Sequence, residues 1–568
     1  MNTRIALRPA VLLDRDGTII FEKNYLSDPD MVELERDAVE GLRSLSEQGF
    51  VLVVVSNQSG IGRGYFGIEA AEAVNRRVDQ LLRAEGVAIA GWYICPHSAD
   101  EACACRKPMP GMALEAAADL GIDLTRSFVI GDKRSDAELA HAVGAIGILV
   151  TTGHGDGDVA WARSCSVPVC QTLADAARIV GATALPSLAE LDAAGHHWIT
   201  HQALPLWSTA GFDATTDSFE ERLTFDHQVE PDAPRRLMVQ ARQISVFARA
   251  TIEGDFPAGA DLAKRAGHAM IARYLEADGK PGWVFSVDRS GRVVDGTRDL
   301  YAHAFVIFAL AWLTRVANSP VVEDAIAKTL AFLDLAFADP VAGGYWDSLP
   351  RKDALRRQNP HMHLFEALIE LAEVAPSPAL IARCRALDGL ALAHFLDPET
   401  WALREVFHDD WRVAPRGGQG SVEPGHQMEW AWLWARYAAI SGDDRRSVVS
   451  GLINRALETG VDRIAGRIVD ECGEDGVVRK HTSRSWPHAE ALKAMMIEVP
   501  HARRDLLGVY KRIYHRLLHK YCNSSLGGGW IDQLDDQDMR ASTSMPASSL
   551  YHIYFGLKSI RTLLEQES

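Results

Sequence analysis

The chain has 568 residues, of which 47% are hydrophobic and 24% charged, and its formal net charge is −17 at pH 7. This length exceeds one ordinary hydrophobic core, so we expect two or more domains, and the negative charge argues against nucleic acid or an anionic membrane as the main partner. The sequence has no N-terminal signal segment, no uninterrupted apolar run long enough to span a membrane and no cysteine pattern typical of a disulfide scaffold, so we expect a cytoplasmic protein.

The first informative stretch is an apolar run, residues 11–13, that leads to Asp14, Asp16 and Gly17. Such a run predicts a buried parallel strand, and open α/β sheets bind their ligands where strands end. Alternate residues of an extended segment point the same way, so Asp14 and Asp16 can face one ligand. Carboxylates suit Mg²⁺, and one can attack phosphorus while the other moves a proton. Alone, this short pattern also fits a plain loop.

Three more buried strands are predicted over residues 50–55, 127–130 and 146–150, with helices at 68–85 and 111–120. Strands that alternate with helices indicate a doubly wound parallel sheet. Because each strand ends in polar residues, Asp14, Asp16, Ser56 and Asp132 should converge on one edge. A last strand and helix are expected within 167–180, followed by a linker at 181–187, so we predict an α/β domain over residues 1–183.

This region resembles the haloacid-dehalogenase-type phosphatases, and within them the heptose bisphosphate and histidinol phosphatase branch. The motifs that carry the resemblance are Asp14-x-Asp16-Gly17-Thr18, Ser56-Asn57-Gln58-Ser59-Gly60, Arg63, Cys105-Arg106-Lys107-Pro108 and Gly131-Asp132. The resemblance implies that Asp14 is a nucleophile and Asp16 a general acid and base. It implies Mg²⁺ at Asp14, Asp132 and the Asp16 carbonyl, and phosphate or substrate contacts from Ser56, Asn57, Arg63, Arg106 and Lys107.

Four potential metal ligands lie within eleven residues: Cys95, His97, Cys103 and Cys105. Soft or borderline donors at this spacing suit tetrahedral Zn²⁺, and four protein ligands leave no open position, so the zinc should be structural. It would hold the loop that carries Arg106 and Lys107. Free thiols on a loop are the alternative.

From residue 188 onward, amphipathic helical stretches dominate and strand signals fade. Glycine–aromatic loops recur at Gly282-Trp283, Gly343-Gly344-Tyr345 and Gly528-Gly529-Trp530, which suggests a repeated helix pair closed into a ring. An irregular helical domain is the alternative. Histidines at helix starts indicate proton transfer near neutral pH, although a single histidine is more often structural.

This second region, predicted as residues 188–568, resembles the N-acylglucosamine 2-epimerase superfamily, whose fold is an (α/α)6 barrel. The motifs that carry the resemblance are Arg242-Gln243, Asp299-Leu300-Tyr301, Asn359-x-x-Met362-His363-x-x-Glu366, Gly425-His426-x-x-Glu429-Trp430 and Tyr551-His552. The resemblance implies that His426 and His552 are an acid/base pair at sugar C1 and C2 and that His363 assists ring opening. It also implies hydroxyl and enediolate contacts, without a cofactor, from Arg242, Asn359, Glu366, Arg416 and Glu429.

Two tryptophans, Trp346 and Trp430, offer flat faces to a sugar ring. Four extra arginines are candidates for holding a phosphate or for a solvated helix face: Arg235, Arg236, Arg356 and Arg357. The contexts of Tyr551-His552 and of residues 235–242 favour a mannose-type aldose–ketose isomerase over an N-acyl sugar epimerase.

Together these features predict a multidomain carbohydrate enzyme: a Mg²⁺-dependent sugar-phosphate phosphatase followed by a sugar isomerase. The alternatives are a 2-epimerase of an N-acyl or neutral sugar, a histidinol phosphatase, a catalytically inactive domain that serves as scaffold, and a sugar sensor. The expected partners are small sugars and sugar phosphates. The order of the two reactions, the exact sugars and the oligomeric state do not follow from the sequence.

Overall fold

A computed structural model describes residues 7–414, 420–499 and 504–566. Its contacts group the described residues of 7–187 and 504–512 into one compact unit, and those of 188–499 and 513–566 into a second.

The first unit is built on a parallel sheet, as the sequence predicted. Its described strands have the order β3-β2-β1-β4-β5-β6. They are β1 (Ala10–Leu13), β2 (Val51–Asn57), β3 (Gly91–Cys95), β4 (Phe128–Gly131), β5 (Ile146–Val150) and β6 (Val169–Cys170). The helices are α1 (Ala38–Glu47), α2 (Ser59–Gly62), α3 (Ile68–Ala84), α4 (Gly111–Leu120), α5 (Arg134–Ala142), α6 (Val159–Ser164) and α7 (Leu173–Thr183). Strand β3 was not predicted, because it is mostly half-buried and lacks a branched apolar run.

The sheet is covered on both faces. Val11 and Leu13 of β1 point into one apolar cluster, and Ala10 and Leu12 point into another. This alternation explains why the strand is apolar at every position. Asp14 follows β1, and its backbone N–H donates to the Ile130 carbonyl at 3.0 Å, so the ends of β1 and β4 lie side by side.

The second unit is helical. Its described helices are α8 (Leu188–Trp198), α9 (Leu204–Ser208), α10 (Leu237–Ile252), α11 (Gly259–Tyr274), α12 (Leu300–Ala317), α13 (Pro320–Phe332), α14 (Gln358–Val374), α15 (Pro378–Leu390), α16 (Pro424–Ser441), α17 (Arg446–Thr459), α18 (Ser485–Glu498), the end of α19 (Arg504–Arg516), α20 (Ser549–Lys558) and α21 (Ile560–Gln566). Residues 504–512 of α19 are grouped with the first unit. Helices α10, α12, α14, α16, α18 and α20 each pack on the next, and α20 packs on α10. They form a closed inner ring, with α11, α13, α15 and α17 packed around it, which confirms the predicted (α/α)6 barrel.

Short strands form hairpins and small sheets between the helices. They are β7 (Phe212–Asp213), β8 (Ser218–Phe219), β9 (Arg222–Leu223), β10 (Arg235–Arg236), β11 (Ser286–Val287), β12 (Val293–Asp295), β13 (Arg298–Asp299), β14 (Ser348–Leu349), β15 (Leu355–Arg357), β16 (Val406–His408), β17 (Ser421–Val422), β18 (Val461–Asp462), β19 (Arg467–Ile468), β20 (Glu471–Gly473), β21 (Val478–Lys480), β22 (Ser483–Arg484), β23 (Gln533–Leu534) and β24 (Met545–Pro546).

A repeated histidine contact fixes three of these connections. The backbone N–H groups of Trp283, Tyr345 and Ile468 donate to Nε2 of His303, His361 and His488, respectively, at 3.1, 3.0 and 3.3 Å. Nδ1 of each ring faces the carbonyl four residues earlier. Only a neutral imidazole accepts at one nitrogen and donates at the other. Burial agrees with this state, since it lowers the pKa of both His303 and His361 to about 4.

Helix α12 is long and apolar enough to cross a membrane by length and composition, but 67% of that stretch is buried inside the protein. Its position in the inner ring accounts for its apolar character, since a helix surrounded by other helices is apolar on all sides.

We expect Gly556→Ala to destabilise the barrel by about 1–3 kcal/mol, because overpacking displaces backbone. A Cβ at Gly556 would lie 2.7 Å from Ala489 Cα, at the contact between α20 and α18. Chemical denaturation followed by far-UV circular dichroism measures the change.

The matched control is Gly389→Ala on α15, where an added Cβ meets nothing within 4 Å. There alanine should stabilise the helix by up to about 1 kcal/mol. Equal effects from both substitutions would contradict the close approach of α18 and α20.

Candidate active sites

A cleft of about 340 Å³ opens at the carboxyl edge of the parallel sheet. We call it the sheet-edge cleft. Its lining includes Asp14, Asp16, Glu22, Asn24, Tyr25, Asn57, Gln58, Arg106, Lys107, Lys133 and His154. It brings the predicted Asp14, Asp16, Asn57, Arg106 and Lys107 together.

Lys107 is the buried cation of this cleft. Its Nζ lies 2.9 Å from Asp14 Oδ1 and 2.6 Å from Asp136 Oδ1, and it donates to the Val55 carbonyl at 2.8 Å. Burial opposes ionisation of Asp14, but the charges of Lys107 and Lys133 outweigh it, so the pKa of Asp14 is lowered. Asp14 is therefore an ionised carboxylate beside a fixed positive charge, which suits attack on phosphorus.

Asp132 follows Gly131 at the end of β4, and its side chain is fully buried. Its Oδ2 accepts a hydrogen bond from the His154 backbone at 2.8 Å, whereas Oδ1 has no hydrogen-bond partner among the described residues. Burial and the nearby Asp14 carboxylate raise the pKa of Asp132 to about 7. Oxygens of Asp14, Asp132 and Asp136 lie within 4.8 Å of one another, so this donor set fits a hard divalent cation.

Two amide side chains of the cleft hold neighbouring residues in place, whereas the predicted Arg63 lies outside the cleft. Gln58 donates to Asp16 Oδ2 at 2.7 Å and to Ser56 Oγ at 2.9 Å. The Asn57 side chain accepts from the Lys107 N–H at 3.0 Å and donates to its carbonyl at 3.2 Å, so Asn57 holds the backbone that carries the lysine. Arg63 is exposed after α2 and is not among the residues that line the cleft.

Sequence reasoning missed Lys133, which lines this cleft, and Arg15, which is buried behind Asp16 and is not part of the lining. Lys133 lies 3.5 Å from Glu22 and 3.7 Å from Asp132. Arg15 is buried and binds both oxygens of Asp16 at 2.9–3.2 Å. Lys133 directly follows the Gly131-Asp132 motif, which was the only sequence signal for it.

The four predicted zinc ligands converge. Cys95 Sγ lies 3.5 Å from His97 Nδ1, 3.8 Å from Cys103 Sγ and 3.4 Å from Cys105 Sγ, and Cys105 Sγ lies 3.3 Å from His97 Nδ1. Tetrahedral zinc with ordinary bond lengths separates its ligand atoms by roughly 3.5–3.8 Å, so the geometry fits this metal. Arg106 follows directly and donates to the His97 carbonyl at 3.2 Å, which ties the cleft to this zinc loop (residues 95–105).

In the barrel, two histidines from different inner helices share one arrangement. Nδ1 of His426, on α16, lies 3.0 Å from Glu405 Oε2, and Nδ1 of His552, on α20, lies 2.7 Å from Glu490 Oε1. The Trp486 ring lies between them, with centroids 5.0 Å from His426 and 5.7 Å from His552. Carboxylates that orient histidines in this way are typical of proton-transfer sites.

His363, on α14, completes the group. Its Nδ1 lies 3.0 Å from Glu366 Oε2, and burial lowers its pKa to about 4 although Glu366 opposes the shift. Tyr551 donates to the other oxygen of Glu366. Glu429 is fully buried 3.7 Å from His363, and neither of its carboxylate oxygens has a hydrogen-bond partner among the described residues.

Arg242 donates to Tyr301 at 2.5 Å and lies 4.1 Å above the Phe305 ring. Asn359 is in the first turn of α14, with a buried Oδ1 that has no partner among the described residues. Arg416, the remaining predicted contact, lies outside the described residues.

Several interpretations of the barrel sequence were wrong. Trp430 is fully buried, stacks on Phe365 and donates to Gln358 at 2.7 Å, so it is a core residue without a free face. Trp346 is partly exposed and lines a cavity, with the guanidinium groups of Arg351 and Arg356 about its ring, so its predicted role stays a prediction.

The four extra arginines are neither free for phosphate nor on a solvated helix face. They lie on the short strands β10 and β15, and their partners are carboxylates: Arg235 with Asp213 and Glu220, Arg236 with Glu221, Arg356 with Asp339, and Arg357 with Asp347 and Asp353.

Sequence reasoning also missed the orienting residues Glu405 and Glu490. They lie outside the histidine motifs, 21 and 62 residues from their partners, so proximity in sequence gave no signal.

Comparison with known proteins agrees with the division of the chain into an α/β unit and a helical barrel. Residues 218–556 match the family model described as N-acylglucosamine 2-epimerase, and residues 104–176 match the HAD-hydrolase-like model. The chain is 30% identical to mannose-6-phosphate isomerase of Rhizobium meliloti over 65% of this chain and 96% of that protein. It is 42% identical to the D-glycero-beta-D-manno-heptose-1,7-bisphosphate 7-phosphatase of Yersinia pestis over 26% of this chain and 81% of that protein.

Among solved structures, cellobiose 2-epimerase from Bacillus thermoamylovorans has a TM-score of 0.60 at 19% identity and covers 66% of this chain and 99% of that chain. This similarity supports the barrel fold only. The family-model match and the two relatives lead to one conclusion: the chain belongs to the N-acylglucosamine 2-epimerase family through its second unit and to the haloacid-dehalogenase-type hydrolases through its first.

Proposed function

We propose that the protein is a bifunctional carbohydrate enzyme. Its first unit removes a phosphate group from a sugar phosphate, for which a heptose bisphosphate is our model substrate. Its second unit interconverts an aldose and a ketose of the mannose–fructose type. We assign the two activities to domains of residues 1–183 and 188–568, in the cytoplasm, which agrees with eight free cysteines.

For the phosphatase, the main support is the ionised Asp14 beside Lys107. We assign Asp14 as the nucleophile: its Oδ attacks phosphorus, the bond from phosphorus to the sugar oxygen breaks, and Asp16 donates a proton to that oxygen. Water then attacks the phosphorus of the aspartyl-phosphate while Asp16 takes its proton. The bond between the Asp14 oxygen and phosphorus breaks, which releases inorganic phosphate and restores the Asp14 carboxylate. Lys107 holds positive charge beside the reacting phosphoryl group, and Ser56 and Arg106 contact the substrate.

The metal assignments belong to the same proposal. Asp14, Asp132 and the Asp16 carbonyl hold Mg²⁺, and the observation that supports this is the buried Asp132 Oδ1, which accepts no hydrogen bond among the described residues. When bound, Mg²⁺ offsets the negative charge of the phosphate. Cys95, His97, Cys103 and Cys105 hold a structural Zn²⁺.

For the isomerase, the main support is the pair His426 and His552, each aligned by a buried glutamate around one shared tryptophan. We assign them as the acid and base that move protons at sugar C1 and C2. His363 assists ring opening, and Arg242, Asn359, Glu366 and Glu429 contact the sugar oxygens. The barrel needs no cofactor in this proposal, because the adjacent carbonyl acidifies the proton that is removed.

We expect Asp14→Asn to lower phosphate release from a heptose bisphosphate by about 10³-fold or more, because the amide cannot act as the nucleophile. Phosphorus NMR with added Mg²⁺ measures the release. Asp119→Asn, at an exposed position on α4, should keep the wild-type rate. Undiminished turnover by Asp14→Asn would exclude the assigned nucleophile.

Purified protein should contain one zinc ion per chain, and Cys103→Ser should lose it, since three ligands bind zinc more weakly than four. Elemental analysis by mass spectrometry measures the metal. Cys165→Ser, at an exposed cysteine outside the loop, should retain zinc. Equal zinc content in the two variants would argue against the site.

In D₂O, we expect proton NMR to show deuterium at C2 of mannose, or of mannose 6-phosphate, together with ketose signals. The experiment uses the Asp14→Asn variant so that the phosphatase site does not remove the phosphate of mannose 6-phosphate. His426→Asn or His552→Asn should slow this exchange by about 10²–10⁴-fold, the usual contribution of general acid–base catalysis.

His408→Asn, at an exposed position on β16, is the matched control and should exchange at the wild-type rate. A second aldose without ketose would instead indicate a 2-epimerase. No exchange with any of the four sugars (mannose, fructose and their 6-phosphates) would count against the mannose–fructose assignment.

A further inference from the structure

His426 and His552 each contact a glutamate through Nδ1, but the charged groups around the two glutamates differ. His426 is near Glu405 at 3.0 Å and Glu423 at 3.9 Å. His552 is near Glu490 at 2.7 Å, and Glu490 also has a basic partner, Lys493.

Lys493 is deeply buried. It lies one turn after Glu490 on α18, with Nζ 2.6 Å from Glu490 Oε2 and 3.8 Å from the centroid of the Trp432 ring, and its side chain is 2% exposed. A lysine in such a place loses its hydration, so it stays charged only beside an anion. The 2.6 Å contact therefore places Lys493 as the basic partner of Glu490 on the side away from His552 Nδ1, which contacts the other carboxylate oxygen.

Titratable groups that act on His552 come from several inner helices of the ring. They are Arg242 on α10, His363 and Glu366 on α14, Glu429 on α16, Glu490 and Lys493 on α18, and Tyr551 on α20. Burial, Arg242 and Lys493 hold the pKa of His552 well below its usual range. By contrast, Glu405 and Glu423 raise the pKa of His426 although burial opposes them.

The ionisation of Glu490 decides which nitrogen of His552 carries the proton. As a carboxylate, Glu490 accepts from Nδ1–H, and the Nε2 lone pair is free to take a proton. As a neutral acid it would donate to Nδ1 and leave a proton on Nε2. Burial raises the pKa of Glu490, and Lys493 opposes this shift, so the lysine favours the carboxylate.

We propose that Lys493 is a positioning residue that keeps Glu490 ionised and so makes His552 the base and His426 the acid of the sugar reaction. This inference rests on the proposed isomerase function. His552 Nε2 takes the proton from C2, the C–H electron pair forms the C1=C2 bond, and His426 protonates the carbonyl oxygen at C1. His552 then returns the proton to C1, while His426 takes the proton of the C2 hydroxyl as the new carbonyl forms.

The test is a pH–rate profile of isomerisation for Lys493→Met and Lys493→Arg. Without the lysine charge, the His552–Glu490 pair should bind its proton at higher pH, so the acid limb of kcat/KM should move up by at least one pH unit in Lys493→Met. Lys493→Arg, which keeps the charge, should retain the wild-type limb.

Lys558→Met is the matched control for removing a buried, ion-paired lysine. Lys558 is on α20 and pairs with Asp255 and Glu253, each at 2.8 Å, outside the histidine group. It should leave the acid limb in place. An unmoved limb in Lys493→Met, or an equal shift in Lys558→Met, would overturn the proposal.

A substrate-free measurement separates this inference from the isomerase proposal. Full-length protein labelled with ¹³C at histidine Cε1 gives NMR signals, and His552→Asn identifies the signal of interest. The chemical shift of that signal should stay constant between pH 5 and 8 in the wild-type protein and should change with pH over this range in Lys493→Met. A constant signal in both would overturn the role of Lys493, whatever sugar the enzyme uses.

Discussion

Both sites depend on the high cost of burying a charge without a partner. In the sheet-edge cleft, Lys107 lies between Asp14 and Asp136, and in the barrel Lys493 contacts Glu490. Burial of an isolated ion costs roughly several kcal/mol of hydration free energy. This cost is recovered only beside an opposite charge with good geometry. At Asp14 the contact favours the carboxylate, and at Glu490 it opposes the rise in pKa that burial causes.

The same constraint distinguishes the histidines of the barrel. His361 and His363 are two residues apart on α14, yet they have different environments. His361 accepts from a backbone N–H and faces a carbonyl, so it pins a loop, whereas His363 faces the carboxylate of Glu366. Both have a lowered pKa because both are buried, so burial alone does not identify a catalytic histidine. The distinguishing feature is the group that contacts the ring: backbone groups for His361 and a carboxylate for His363.

Packing brings the partners together. Gly556 lets α20 approach Ala489 on α18 closely, and the residues beside this contact include Glu490, while His552 is one turn away on α20. The short distance between His552 and Glu490 thus depends on a glycine that has no chemical role. The zinc loop is comparable, because its candidate ligands directly precede Arg106, which donates to the His97 carbonyl within that loop.

The sequence by itself determined the α/β architecture and the helical character of the second region, since apolar runs and helical periodicity are local signals. The (α/α)6 barrel followed from short motifs that resemble a known family. It also pointed to Asp14, Lys107, the four candidate zinc ligands and the histidines of the barrel, because each lies within a short motif. Only the tertiary structure decided the rest. Strand β3 has too weak an apolar pattern to be recognised, Trp430 is a core residue although it follows a site motif, and Glu405, Glu490 and Lys493 reach the site from distant segments. Side-chain partners and ionisation depend on distances across the fold, and no local pattern encodes them.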